Sequence, residues 1–194
     1  NKLSVFNIAG LRNPELIKSE WVGRDIETIF YKENHLYLGS SSGMYIYSLE
    51  DPAAPQLKSM FSHILGCDPV VVKDDIAYVT IRGGNACGQE WSQLDVIDVA
   101  DKSNPQLMKS YEMENPYGLG VKDDWLFVCD GTAGLKIYDT KNTPNLELTD
   151  HFQDINTYDV IPLEEVLLMV GDNTLFQYTY KGNEINLLSS FSLN

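Results

Sequence analysis

Positive charge is scarce in this chain. Fourteen Lys and Arg stand against 28 Asp and Glu in 194 residues, for a formal charge of −14. A protein that grips nucleic-acid backbones needs a basic face, so that class is excluded. Cysteine and histidine are also sparse, three of each. Cys67, Cys87 and Cys129 show no Cys-x-x-Cys spacing, and His35, His63 and His151 are scattered, which argues against a structural zinc site. No run of 18 apolar residues occurs, so no transmembrane helix is expected, and no signal-like apolar stretch is seen. The sequence has no Walker loop, no Gly-x-Gly-x-x-Gly, no Gly-x-Ser-x-Gly and no N-glycosylation sequon. The first residue is Asn1, which reads as the start of a processed or trimmed product, so any export signal would already be gone.

What the chain does have is a repeat. Hydrophobic residues make up 43% of it, enough for a packed core, and the length suits one domain. One apolar hexad recurs five times, beginning at Leu3, Met44, Leu94, Leu135 and Leu175. The starts lie 41, 50, 41 and 40 residues apart. After four of the five comes a Pro-led corner, at Pro14, Pro55, Pro105 and Pro144, while Lys181-Gly182-Asn183 takes its place in the fifth. Pro fixes a negative φ and Gly or Asn tolerates a positive one, so each can turn a chain.

Each unit reads as four short strands. In the third complete unit these are Tyr117 to Val121, Trp125 to Asp130, Leu135 to Asp139 and a last strand ending near Phe152. Acidic turns such as Lys73-Asp74-Asp75 and Lys122-Asp123-Asp124 join the first two strands and are expected to be solvated. The short spacing leaves no room for an amphipathic helix. A four-stranded repeat near 40 residues is the period of a β-propeller blade, whose sheets hide their apolar faces against one another. A two-sheet sandwich is the competitor, but it predicts no fixed period. The expected fold is therefore all-β, a propeller of four-stranded antiparallel blades. It opens with a half blade at 1–22, and complete blades follow at about 23–63, 64–113, 114–154 and 155–194. The half blade lacks its first two strands. Either upstream sequence has been lost or another chain supplies them, and an open blade edge invites a homodimer.

These hexads and the following Asn-Pro-x-Leu corners resemble the LVIVD repeat family, with Leu94-Asp-Val-Ile-Asp98 the closest copy. The resemblance implies a mostly bacterial β-propeller, often exported and lipid-anchored at the cell surface. It names a shape and a location and attaches no reaction. Membrane contact would come only through an anchor outside this chain.

The loops on one rim of a propeller are its usual binding face. The long period of 50 places an insertion on that rim, from Gly83 to Gln93. It is either the functional loop or a tolerated surface loop. Trp91 within it is expected to be exposed and available to a ligand. Cys67 and Cys87 fall on the same rim, where a disulfide would pin the insertion and contribute about 3 kcal/mol by closing a loop of roughly 20 residues. The alternative is three buried thiols. Arg82, Asp68, Tyr117, Asp130 and Tyr158 complete the candidate ligand-binding set, with Glu27 in an equivalent place. Such groups bind a sugar or a peptide by stacking and hydrogen bonds, or they are solvated channel walls. No catalytic set or cofactor is expected. Ca²⁺ at Asp25, Asp68 and Asp130 is a weak option without D-x-D-x-D spacing. The leading expectation is a non-catalytic scaffold that presents its rim to a protein or glycan at a bacterial surface or in the periplasm. The alternative is a propeller hydrolase or lyase with its active site at the channel mouth.

Overall fold

The computed structural model of the chain describes residues 1–10, 12–62, 69–84, 91–181 and 184–193. Within them run eighteen β-strands, the number that half a unit and four whole ones predict, and no helix. An opening half sheet consists of β1 (Lys2–Asn7) and β2 (Glu15–Trp21). The first complete sheet holds β3 (Ile26–Lys32), β4 (His35–Ser40), β5 (Gly43–Ser48) and β6 (Gln56–Ser62). The second holds β7 (Val70–Lys73), β8 (Ile76–Ile81), β9 (Ser92–Asp98) and β10 (Gln106–Met113). The third holds β11 (Leu119–Lys122), β12 (Trp125–Cys129), β13 (Leu135–Asp139) and β14 (Glu147–Phe152). The fourth holds β15 (Thr157–Pro162), β16 (Val166–Gly171), β17 (Thr174–Lys181) and β18 (Glu184–Ser192). Each sheet is an antiparallel meander in chain order. The first strands form a hub, β3 beside β7, β7 beside β11 and β11 beside β15.

The hexad explains how the sheets stack. It lies on the third strand of each sheet, where side chains alternate between the two faces. Its first and third residues point at the next sheet and its fourth at the previous one. Met44 and Ile46 join Val70, Val72 and Val79 between the first and second sheets. Leu94 and Val96 join Leu126 and Val128 between the second and third. Leu135 and Ile137 join Leu167 and Met169 between the third and fourth. All six of these hexad residues have no exposed area. Each such burial stabilises the fold by about 1.5–3 kcal/mol relative to an exposed side chain. Leu3 of the half sheet packs in the same sense against Val22, Leu38 and Tyr45.

The register between third and fourth strands slips at one hexad position in all five units. The irregularity falls between Val5 and Phe6, Val96 and Ile97, Ile46 and Tyr47, Ile137 and Tyr138, and Gln177 and Tyr178. A bulge there increases the local twist and bends the outer strand at the same point of every blade. Gly134 opens the third strand of the third sheet at φ +92°, where a Cβ would collide with the carbonyl of Phe152. No other residue type fits that turn.

Two details differ from the sequence reading. Residues 117 and 118 precede β11 and do not lie within it. Gly118 N–H donates to Tyr158 O of the next sheet at 2.8 Å, so the chain is tied sideways before its ladder begins. The acidic turns are also more than solvated corners. Lys73 Nζ reaches Asp124 at 2.7 Å, Lys122 Nζ reaches Glu164 at 2.6 Å and Lys102 Nζ reaches Asp75 at 2.8 Å. The first two of these pairs tie one sheet to the next.

Candidate functional site

The hub strands enclose a cleft of about 710 Å³ whose lining includes the chain from Glu27 to Phe30, from Pro69 to Val71, from Pro116 to Val121 and from Tyr158 to Pro162, with Arg82. Its walls are largely apolar because each hub strand contributes aliphatic side chains. Ile29 on β3 is 60% exposed and Ile161 on β15 is 52% exposed, although both are large and apolar. Polar groups gather where the strands begin.

Arg82 leaves the end of β8 and lays its guanidinium over the Tyr117 ring, 4.0 Å from the centroid. Thr80, two residues earlier, donates its hydroxyl to Tyr117 O at 2.6 Å, and Tyr117 N–H donates to Cys129 O at 2.7 Å. Both contacts fix the backbone beneath the ring. The Tyr158 ring meets Tyr117 edge to face at 5.0 Å and 86°. The Tyr158 hydroxyl donates to Asp172 at 3.0 Å, a bond that raises its pKa, and Asn156 Nδ2 donates to that hydroxyl at 3.0 Å. Both rings are therefore held, and one face of Tyr117 lies under a cation.

Two carboxylates flank this stack. Glu27 on β3 has its carboxyl raised above the ordinary range, first by lost hydration, with Arg82 opposing and Asp25 adding to the rise. Asp159 on β15 is raised by lost hydration as well, opposed only by the N–H of Val160. The Asp159 side chain sits against Gly118, where any Cβ would overlap its Oδ1. Among the described residues neither Glu27 nor Asp159 forms an ion pair.

The structure brings Arg82, Tyr117 and Tyr158 together as the strand register predicts, with Glu27 beside them. Trp91 is exposed but lies elsewhere, over a shallow hollow lined with Gln93, Tyr111 and Met113. Asp130 has no exposed area. Its carboxylate accepts from Glu114 N at 3.1 Å, Asn115 N at 2.8 Å and Lys136 Nζ at 2.6 Å, so it ties down the corner that leads to Tyr117. Cys129 is a buried free thiol whose pKa is pushed up by burial. Cys67, Asp68 and Cys87 lie outside the described residues, as does residues 85–90 of the insertion. Among the described residues no three His, Cys, Asp or Glu side chains converge in a way that would hold a metal ion. Sequence reasoning missed Asp159. The available signal was its charge directly after Tyr158, at the place where the preceding unit has Gly118 after Tyr117.

Residues 68–113 match the model of the LVIVD repeat family. No curated protein matches the sequence. Among solved structures, a nidogen/laminin complex is similar with a TM-score of 0.66 at 13% identity, over 93% of this chain and 68% of that one. Apo AztD from Citrobacter koseri is similar with a TM-score of 0.66 at 12% identity, over 90% of this chain and 50% of that one. The computationally designed Ika8 protein is similar with a TM-score of 0.61 at 13% identity, over 86% of this chain and 48% of that one. The chain thus spans about half the length of the Ika8 and AztD chains. At such identities these likenesses concern the fold alone. The stacked meanders, the hub of first strands and the matched repeat lead to one statement: the chain is a β-propeller whose second complete blade matches the LVIVD repeat.

Proposed function

We propose that this chain is a non-catalytic binding scaffold, with the hub cleft as its binding site. One observation carries the reading. A cleft of about 710 Å³ combines apolar walls with a fixed polar mouth of Glu27, Arg82, Tyr117, Tyr158 and Asp159. Such a combination is what a recognition site needs, because apolar area supplies affinity and a few placed polar groups supply orientation. The mouth rests on sheets whose interfaces are fully buried, so little order has to be gained on binding. The resemblance to exported LVIVD proteins supports a bacterial cell surface or the periplasm as the location. A protein or glycan displayed there is the partner class.

A hydrolase or lyase at the channel mouth is the second reading. It is favoured by the raised carboxyls of Glu27 and Asp159, since an acid catalyst needs a pKa nearer neutrality. The test is a thermal-shift screen of peptides, oligosaccharides and divalent ions, followed by incubation of every binder and analysis for turnover. Stabilisation by a ligand that stays intact, and that is lost in Ile29→Ser, supports the scaffold. Cleavage of a binder that stops in Glu27→Gln or Asp159→Asn overturns it.

A further inference from the structure

The chemistry of the cleft narrows the partner class, on the premise that the cleft is the binding site. Its charge pattern comes first. Glu27 and Asp159 stand on β3 and β15, the first and last hub strands, with the Arg82–Tyr117 stack between them. Both residues are exposed at the cleft, and among the described residues neither forms an ion pair with a cation. Asp25 and Arg82 are the charged groups facing Glu27, and the buried thiol of Cys129 lies within the field of Asp159. Asp159 accepts the Val160 N–H at 2.9 Å, and an exposed carboxylate without an ion pair is open to a charged donor brought from outside. The whole chain, at −14, adds long-range attraction for a cation.

The walls come second. Ile29 and Ile161 expose apolar side chains on the same two strands, two residues beyond Glu27 and Asp159 respectively. Asp159 and Ile161 lie in regular register and share one face of β15, while on β3 the ladder slips at Glu27 and both Glu27 and Ile29 are exposed. Each wall therefore repeats an acid followed by an aliphatic side chain. The hub strands also pair on one side only, leaving one backbone edge free of its sheet. Free edges recognise extended main chain by strand addition.

The aromatic groups come third. Stacking on a sugar needs an open ring face. Arg82 covers one face of Tyr117 and Tyr158 crowds the same ring, which makes this mouth a poor glycan platform.

We propose that the cleft receives an extended basic peptide segment, with Lys or Arg side chains on Glu27 and Asp159 and apolar side chains against Ile29 and Ile161. The segment would come from a protein partner. A glycan is the rejected alternative.

The experiment uses a fluorescein-labelled peptide of alternating Lys and Leu, the same peptide with Glu replacing Lys, and chitohexaose as the neutral oligosaccharide. Binding is read by anisotropy for the peptides and by calorimetry for the sugar, at low and at physiological salt. The Lys–Leu peptide is expected to bind the native chain and the Glu–Leu peptide to fail. The double variant Glu27→Gln/Asp159→Asn should weaken the Lys–Leu peptide by about tenfold or more. A second double variant, Asp74→Asn/Glu165→Gln, removes the same charge from turns at the opposite end of the blades and should leave affinity within about twofold. Equal loss in both variants would reduce the effect to net charge and overturn the proposal. Chitohexaose binding that is lost in Ile29→Ser, without peptide binding, would overturn the peptide class and leave the scaffold intact. No binding of any probe would remove both.

Discussion

The two ends of the hub strands differ in how they treat charge. At the turn end Lys73 and Lys122 each meet an acid of the next sheet, Asp124 and Glu164. At the mouth, Glu27 and Asp159 have no such partner among the described residues, and their carboxyls are raised. The lysines stand on β7 and β11 and the mouth acids on β3 and β15, so neighbouring hub strands carry the paired and the unpaired charges. Paired charges at the turn end tie blade to blade. The mouth carboxylates tie no blade to another through an ion pair among the described residues, and that is the pattern of groups kept for an outside partner.

The comparison can be broken most severely through the interfaces beneath both ends. Leu135→Asp places a charge in a site with no exposed area, between the third and fourth sheets. It is expected to abolish cooperative folding, checked by circular dichroism on heating. A normal melting curve would refute the stacking described above.

Asp130→Ala tests the layer just below the mouth. It leaves Lys136, whose side chain is 13% exposed, buried without its counter-ion. The expected loss is about 3–5 kcal/mol, measured by urea unfolding. The corner at Glu114 and Asn115 also loses its acceptor, so Tyr117 should become more mobile. If Asp130 instead served only as a ligand contact at the mouth, stability would barely change.

The mouth should respond to pH in the opposite sense from a salt bridge. The carboxyls of Glu27 and Asp159 are raised from ordinary values of 4.5 and 3.8. Between the unfolded value and the raised folded one, the folded chain holds more protons than the unfolded chain. Stability contributed by these groups therefore falls as pH rises through that window. Asp159→Asn removes one such group. It should make the chain slightly more stable at neutral pH, by less than about 0.5 kcal/mol, with no advantage well below the carboxylate range. Urea titrations at two pH values decide this, and a destabilised variant at neutral pH would show that Asp159 is structural.

The smallest effect is expected at Trp91. Its side chain is 54% exposed and lies outside the cleft. Trp91→Ala should change stability by less than about 0.5 kcal/mol. It should also leave binding of the Lys–Leu peptide unchanged by anisotropy. A lost affinity would move the site from the cleft to the insertion, the place the long repeat period first indicates.

The sequence determined the blade. Period-2 alternation in a hexad, repeated at a near-constant interval, forces one face toward each neighbour, so strand identity and stacking follow from local pattern alone. The five bulges fall at one hexad position for the same reason. The register also brought Arg82, Tyr117 and Tyr158 to one end, because first strands and the ends of second strands share a rim. Tertiary structure decided what those residues do. Asp130 lies near the rim in sequence but is drawn inward, since Lys136 comes back to it across the turn at Gly131 to Gly134. Asp159 became a site residue only because Gly118, on the neighbouring hub segment, leaves room beside it. Whether a charge is paired depends on contacts between sheets more than 40 residues apart, such as Lys122 with Glu164, and no local pattern in the chain encodes that distance.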